Sequence, residues 1–173
     1  ATNGGTADVS DNVSSTVDER RQPIFRNTDQ IGQEMIVTYT VDVRPAYYQI
    51  MSGDTLNDIQ GSINISDASE IFTRGISING PATGDWVAWG ATLNGTAANK
   101  MHDDGTNGDA VAGDSIYTVQ YSYIATQTIG QEFKFGIGGG DNESGYGLNH
   151  IENIDVTSGI VASYWGSINP NKY

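Results

Sequence analysis

The residues best suited to chemistry lie between Met101 and Tyr117, in the run Met-His-Asp-Asp-Gly-Thr-Asn-Gly-Asp-Ala-Val-Ala-Gly-Asp-Ser-Ile-Tyr. Asp103, Asp104, Asn107, Asp109 and Asp114 fall within twelve residues, with Gly105, Gly108 and Gly113 between them. A hard divalent cation takes about six to eight oxygen ligands, and calcium accepts irregular geometry. Glycines let a short loop turn sharply enough for several oxygens to converge. Without a cation, four clustered carboxylates repel one another. Ligand type and density therefore point to a calcium site built from these five residues. The spacing is not that of an EF-hand. Counting from Asp103, the third position is Gly105, and Asp114 stands where a bidentate Glu belongs. The plainer reading is a solvated turn, with Asp and Asn chosen for their turn geometry. The run leads directly into Ser115–Tyr123, which alternates like a strand. A cation there would act as a structural clamp rather than a catalytic metal.

Enzyme chemistry finds little else to work with. The chain has two histidines, His102 and His150. Nothing in their spacing sets a base beside a nucleophile, and no HExxH or His-rich zinc pattern occurs. The Gly-rich stretch 138–147 follows a strand and opens no helix. Asp141 and Glu143 inside it would repel a phosphate. It reads as a long hairpin loop, with a second cation site as a lesser alternative. A non-enzymatic protein is the expectation.

Composition narrows the class further. The formal net charge is −13, which disfavours nucleic acid as a partner because phosphate binding needs a basic face. No apolar run approaches the length of a membrane span. There is no cysteine, so disulfides and thiolate metal sites are excluded. Little Lys, much Gly, Asn and Thr, and a loop suited to millimolar calcium suggest a secreted, extracellular or cell-surface protein. Ala1 in place of Met fits the residue left by signal cleavage, and equally an excised domain.

These features need elements to hold them, and the chain reads as all-β. It has 22 Gly and 9 Tyr, with many Thr and Val. Residues 35–43 alternate, with Val37, Tyr39, Val41 and Val43 on one face and Ile36, Thr38, Thr40 and Asp42 on the other. Residues 46–51 continue that strand beyond Pro45. Further strands are expected at 59–65, 70–78, 86–93, 116–123, 132–137, 150–156 and 160–165. Frequent turn signals between short strands predict an antiparallel β-sandwich over residues 31–173. Residues 1–30 differ. They form a polar, extended tail with isolated Val9, Val13 and Val17 and an anchor at Ile24 and Phe25. Alone, such a segment buries too little apolar surface to order itself.

Four stretches resemble a family of secreted bacterial immunoglobulin-like, early-set modules related to the starch-binding modules beside glycoside hydrolases. They are Val37–Val43, Gly75–Pro81 with Trp86, the acidic run Asp103–Tyr117, and Glu132-Phe-Lys-Phe135 followed by a Gly-rich loop and Asn149-His150. The resemblance implies an immunoglobulin-like β-sandwich and, in some members, glycan binding through exposed aromatics. Trp86, Trp89 and Trp165 are the stacking candidates, since an indole offers a flat apolar platform. Trp86 and Trp89 are three apart, so in a strand they face opposite sides and at least one belongs to the core.

Two functions follow. In the first, the chain is a structural subunit of an extracellular filament or surface assembly. Sandwich edges accept a strand from another chain, and the tail is the natural donor, giving a homopolymer stabilised by calcium. Residues 160–165 are either an alternative donor or the last strand of the sheet. In the second, it is a carbohydrate-binding module of a secreted glycan-active protein.

Overall fold

The structure is a computed structural model that describes residues 26–61 and 63–168. Val9, Val13, Val17, Ile24 and Phe25 lie outside the described residues.

Among the described residues, six strands form two three-stranded sheets. The first sheet has the order β3-β1-β6, with β1 at Met35–Asp42, β3 at Ile116–Tyr123 and β6 at Ile160–Tyr164. The second has the order β2-β4-β5, with β2 at Ile76–Asn79, β4 at Gly130–Ile137 and β5 at His150–Asn153. Three of the four pairings are antiparallel. The expected all-antiparallel arrangement fails at one place, because β6 runs parallel to β1 with Tyr39 opposite Val161. The chain leaves β5 in the second sheet and crosses over residues 154–159, so it enters the first sheet in the direction of β1.

The alternation read in β1 holds. Val37, Tyr39 and Val41 are fully buried, and Ile36 is exposed. Both sheets contribute to one core. Tyr39 of β1 meets Phe133 of β4 edge-on at 5.1 Å between ring centroids, and Phe133 meets Phe135 at 5.4 Å. The Tyr39 and Tyr123 hydroxyls lie 2.8 Å apart, and Tyr123 donates onward to the Ala82 carbonyl at 2.7 Å. These bonds satisfy two phenols that would otherwise be costly to bury.

Four expected strand segments are absent as such. Residues 44–51 form helix α1, Arg44–Met51. Pro45 stops the strand and suits the first turn of a helix, where its missing N–H and fixed φ cost nothing. Ala46 and Ile50, one turn apart, are its buried face. The expected strand at 70–78 divides in two. Helix α2, Ser69–Arg74, starts where Asp67 accepts the Ser69 N–H at 2.9 Å. Gly75 at φ 76° ends it, and β2 follows. Residues 59–65 and 86–93 are largely irregular, with only a bridge between Leu56 and Ile65. In the second of these segments the Asn79 amide replaces a strand partner, donating to Val87 O and accepting from Val87 N.

Every residue of β4 is buried. A strand buried on both faces must be covered twice. Phe133, Phe135 and Ile137 face the shared core. Glu132 and Lys134 alternate to the other side, beneath residues 138–149 and the segment carrying Trp86 and Trp89. Among the described residues, no helix is long and apolar enough to cross a membrane.

Candidate functional site

The acidic loop bridges two bends of the backbone. His102 pairs with Thr118 of β3 through both main-chain bonds, at 2.8 and 2.7 Å, so the loop springs from a fixed base. Asn107 and Ser115 then adopt positive φ, as do Gly105, Gly108 and Gly113. At Gly108 (φ 90°) a side chain would be strained by the backbone conformation and would also have to displace the Gln120 side chain, 2.5 Å from where a Cβ would stand.

Three of the five expected ligands converge. One carboxylate oxygen each from Asp103, Asp109 and Asp114 lie within 4.8 Å of one another. Ligands about 2.3–2.6 Å from a shared cation stand at most roughly 5 Å apart, so this cluster could hold a metal ion that takes oxygen donors. Asp103 accepts the N–H groups of Gly113 at 2.7 Å, Asp114 at 3.1 Å and Ser115 at 3.1 Å. Asp109 accepts Gly105 N–H at 2.7 Å, and Asp114 accepts Ile116 N–H at 2.8 Å. A carboxylate carries about four lone-pair sites, so each retains capacity for a cation. Burial pushes the Asp103 carboxyl above its ordinary range, the three N–H bonds oppose that, and the Asp114 charge reinforces it.

The other two expected ligands serve elsewhere. Asp104 turns to Thr106, whose hydroxyl donates to it at 2.5 Å and whose N–H donates at 3.1 Å, and the hydroxyl bond above all holds its carboxyl below the usual range. Asn107 donates its amide to the Thr106 hydroxyl at 3.0 Å. Of the expected carboxylate ligands, Asp103, Asp109 and Asp114 form the cluster that could hold a metal ion. Loop curvature sorts the five, and residue type does not encode that curvature.

A second locus was not expected as a unit. A cavity of about 330 Å³ is lined by Trp86, Trp89, Tyr146, Gln60, Lys134 and Asp141 among others. Trp86 is 37% exposed and Tyr146 79% exposed, so both rings stand at the mouth. The two tryptophans do not take opposite faces, because residues 86–93 form no strand and both turn toward the same cavity. Trp89 reaches Gly136 of β4 closely enough that a Cβ there would strike the ring at 2.6 Å. Trp165 is no platform. It is 4% exposed in the core, and its indole N–H finds no partner.

The cavity floor is charged and buried. The Lys134 ammonium pairs with Asp141, and also donates to the carbonyls of Ser144 at 3.0 Å and Gly145 at 3.3 Å. Asp141 accepts from the Gln60 amide at 2.9 Å. Beneath it, Glu143 accepts from His150 Nε2 at 2.8 Å, from Phe135 N–H at 2.9 Å and from Gly166 N–H at 2.9 Å. Asp141 and Glu143 are thus each matched to a side-chain cation or donor, which removes the case for a second cation site in residues 138–147.

Neither histidine sits in a relay. Asp104 and Thr106 both approach His102 at Nδ1, at 3.5 and 3.4 Å, whereas a relay needs partners on opposite ring nitrogens. His150 is fully buried and lies flat on Phe133 at 5.1 Å.

No protein-family model, no curated protein and no solved structure matches this chain.

Proposed function

We propose that this chain is a non-enzymatic structural subunit of an extracellular filament or surface assembly. Its two sheets form an immunoglobulin-like β-sandwich, residues 1–30 exchange between subunits, and calcium held by Asp103, Asp109 and Asp114 stiffens the loop that feeds β3. The observation that carries this reading is the end of the first sheet. Among the described residues, β6 is an edge strand with exposed apolar side chains, Ile160 and Tyr164. An edge of that kind can take another strand, here at Ala162, between the ends that Ser158 and Ser167 cap. Head-to-tail pairing is heterologous and yields an open fibre when its rotation does not close. The test is electron microscopy of the full chain in millimolar calcium, beside a chain lacking residues 1–30. Regular fibres from the first and folded single particles from the second are expected. Single particles from both would end this reading.

The cavity favours a second reading, a carbohydrate-binding module. Aromatic faces at a polar floor suit a sugar, which presents apolar C–H faces and a hydroxyl rim. A glycan array followed by tryptophan-fluorescence titration tests it. A saturable signal lost in Trp89→Ala is expected, and no signal on any glycan would reject it.

A further inference from the structure

We infer that Lys134 and Asp141 are a modification site, where Nζ and Cγ join in an amide with loss of one water. The inference concerns the interior of the subunit and is independent of both the assembly and the glycan readings.

Among the described residues, this ion pair differs from the others in its chemistry. Arg26, Arg44 and Arg74 supply the cation to Glu132, Asp42 and Glu70, and a guanidinium that keeps its proton is no nucleophile. His102 and His150 meet Asp104 and Glu143 through an imidazole. Lys134 with Asp141 is the one pairing of a primary amine with a carboxylate. Both side chains are out of solvent, at 2% and 3% exposure. Desolvation is one of the ways in which a lysine becomes a nucleophile.

The neighbours orient both groups. An ammonium has three protons to donate. The carbonyls of Ser144 and Gly145 take two, at 3.0 and 3.3 Å, and the third is left for Asp141 Oδ1, against which Nζ lies. The two oxygens of Asp141 are not equivalent. Oδ2 accepts the Gln60 amide at 2.9 Å, whereas Oδ1 is buried and makes no hydrogen bond. The Asp141 backbone is also fixed. Its N–H donates to the Asp58 carboxylate at 3.1 Å, and its carbonyl accepts Ile59 N–H at 3.1 Å. Amine and carboxyl are therefore held face to face, which replaces a bimolecular encounter.

The reaction balances with these atoms alone. Nζ passes one proton to Oδ1, leaving a neutral amine before a neutral carboxyl. The nitrogen lone pair forms the C–N bond at Cγ, and negative charge moves to Oδ2, where the Gln60 N–H meets it. A second proton moves from nitrogen to Oδ1, the Cγ–Oδ1 bond breaks, and water leaves by the cavity that both residues line. The third proton stays as the amide N–H. The product removes two buried charges and their desolvation cost. It ties β4 to the loop that covers it, and fixes the cavity floor below Trp86 and Tyr146.

The test is mass spectrometry of the full chain after denaturation. The intact mass is expected one water below the sequence mass, and Lys134→Arg and Asp141→Ala are expected at their full sequence masses. Trypsin locates the bond without any variant. Between Lys100 and Lys172 the sequence offers it Lys134 alone. An amide at Nζ blocks that cut, so residues 101–172 stay in one peptide lacking one water, and fragmentation places the loss across Lys134 and Asp141. Two outcomes overturn the inference. One is a full sequence mass with cleavage after Lys134. The other is a missing water that persists in Lys134→Arg, which would be a succinimide at an aspartate.

Discussion

Two Gly-bearing acidic loops of this protein have opposite environments. Residues 103–114 carry four Asp, one Asn and three Gly, and residues 138–147 carry one Asp, one Glu, one Asn and five Gly. The first holds its carboxylates near the surface and satisfies them with its own N–H groups. The second folds inward and buries Asp141 and Asn142 over β4. The difference lies in what faces each loop. Lys134 and His150 stand on β4 and β5 and offer the second loop a cation and an imidazole. The cluster of Asp103, Asp109 and Asp114 gathers three carboxylates, with the Arg44 charge acting on Asp114 but in no salt bridge to it. A buried charge persists only when paired, so the partner on the neighbouring strand decides whether an acidic loop can enter the interior.

The largest expected effect tests the buried side of that contrast. Lys134→Ala leaves Asp141 as an uncompensated buried charge and should cost about 3–5 kcal/mol, read by urea denaturation. Lys134→Ala together with Asp141→Ala should recover part of that loss. A cost under about 1 kcal/mol for the single change would mean that pairing does not hold this loop inside.

The next effect sharpens the exposed side. Calcium binding to the folded state alone, with Kd about 10⁻⁴–10⁻³ M, should add roughly 1.4–2.7 kcal/mol at about 10 mM. EDTA should reverse it, and Asp109→Ala should abolish it. Unchanged melting temperatures across calcium, EDTA and Asp109→Ala would remove calcium from the account. Asp104→Ala divides the loop more finely. Its carboxylate lies outside the cluster of three, so the calcium increment should survive. A loss of the increment equal to that of Asp109→Ala would restore Asp104 to the ligand set.

The core gives a pH prediction with a definite sign. Burial raises the Tyr123 phenol from 10.0 to about 12, and raises the Tyr39 phenol as well. A raised pKa means that the folded state holds its proton more tightly than the unfolded state. The contribution is complete below the unfolded value near 10 and is lost as pH rises from there through about 12. Urea midpoints should therefore be flat through neutral pH and fall above about pH 10. Tyr123→Phe should lessen the alkaline fall and cost about 1 kcal/mol at neutral pH, because the Ala82 carbonyl loses its donor.

Much of the fold is legible in the sequence. The period-two pattern of residues 35–43, 116–123 and 132–137 marks strands that exist within a residue or two of the expected bounds. The failures have local causes. At 44–51 the continuation of β-type residues outweighed Pro45, whose helix-starting geometry and the Ala46–Ile50 spacing were the better signal. At 70–78 Gly75 is the break between helix and strand, and Asp67 with Ser69 was a readable start. At 86–93 nothing in the pattern reveals that the Asn79 side chain substitutes for a strand partner.

The candidate sites divide in the same way. Sequence alone determined that oxygen donors concentrate between Asp103 and Asp114, because donor type is a property of each residue. It also determined that valines at 9, 13 and 17 share a face in any extended segment, because strand period is a property of the backbone. Tertiary structure alone decided that three of the four carboxylates converge, and that Trp86 and Trp89 share one cavity while Trp165 enters the core. It alone set β6 parallel to β1 at the end of a sheet. Convergence, burial and edge position are relations between segments distant in the chain, and no residue carries them by itself.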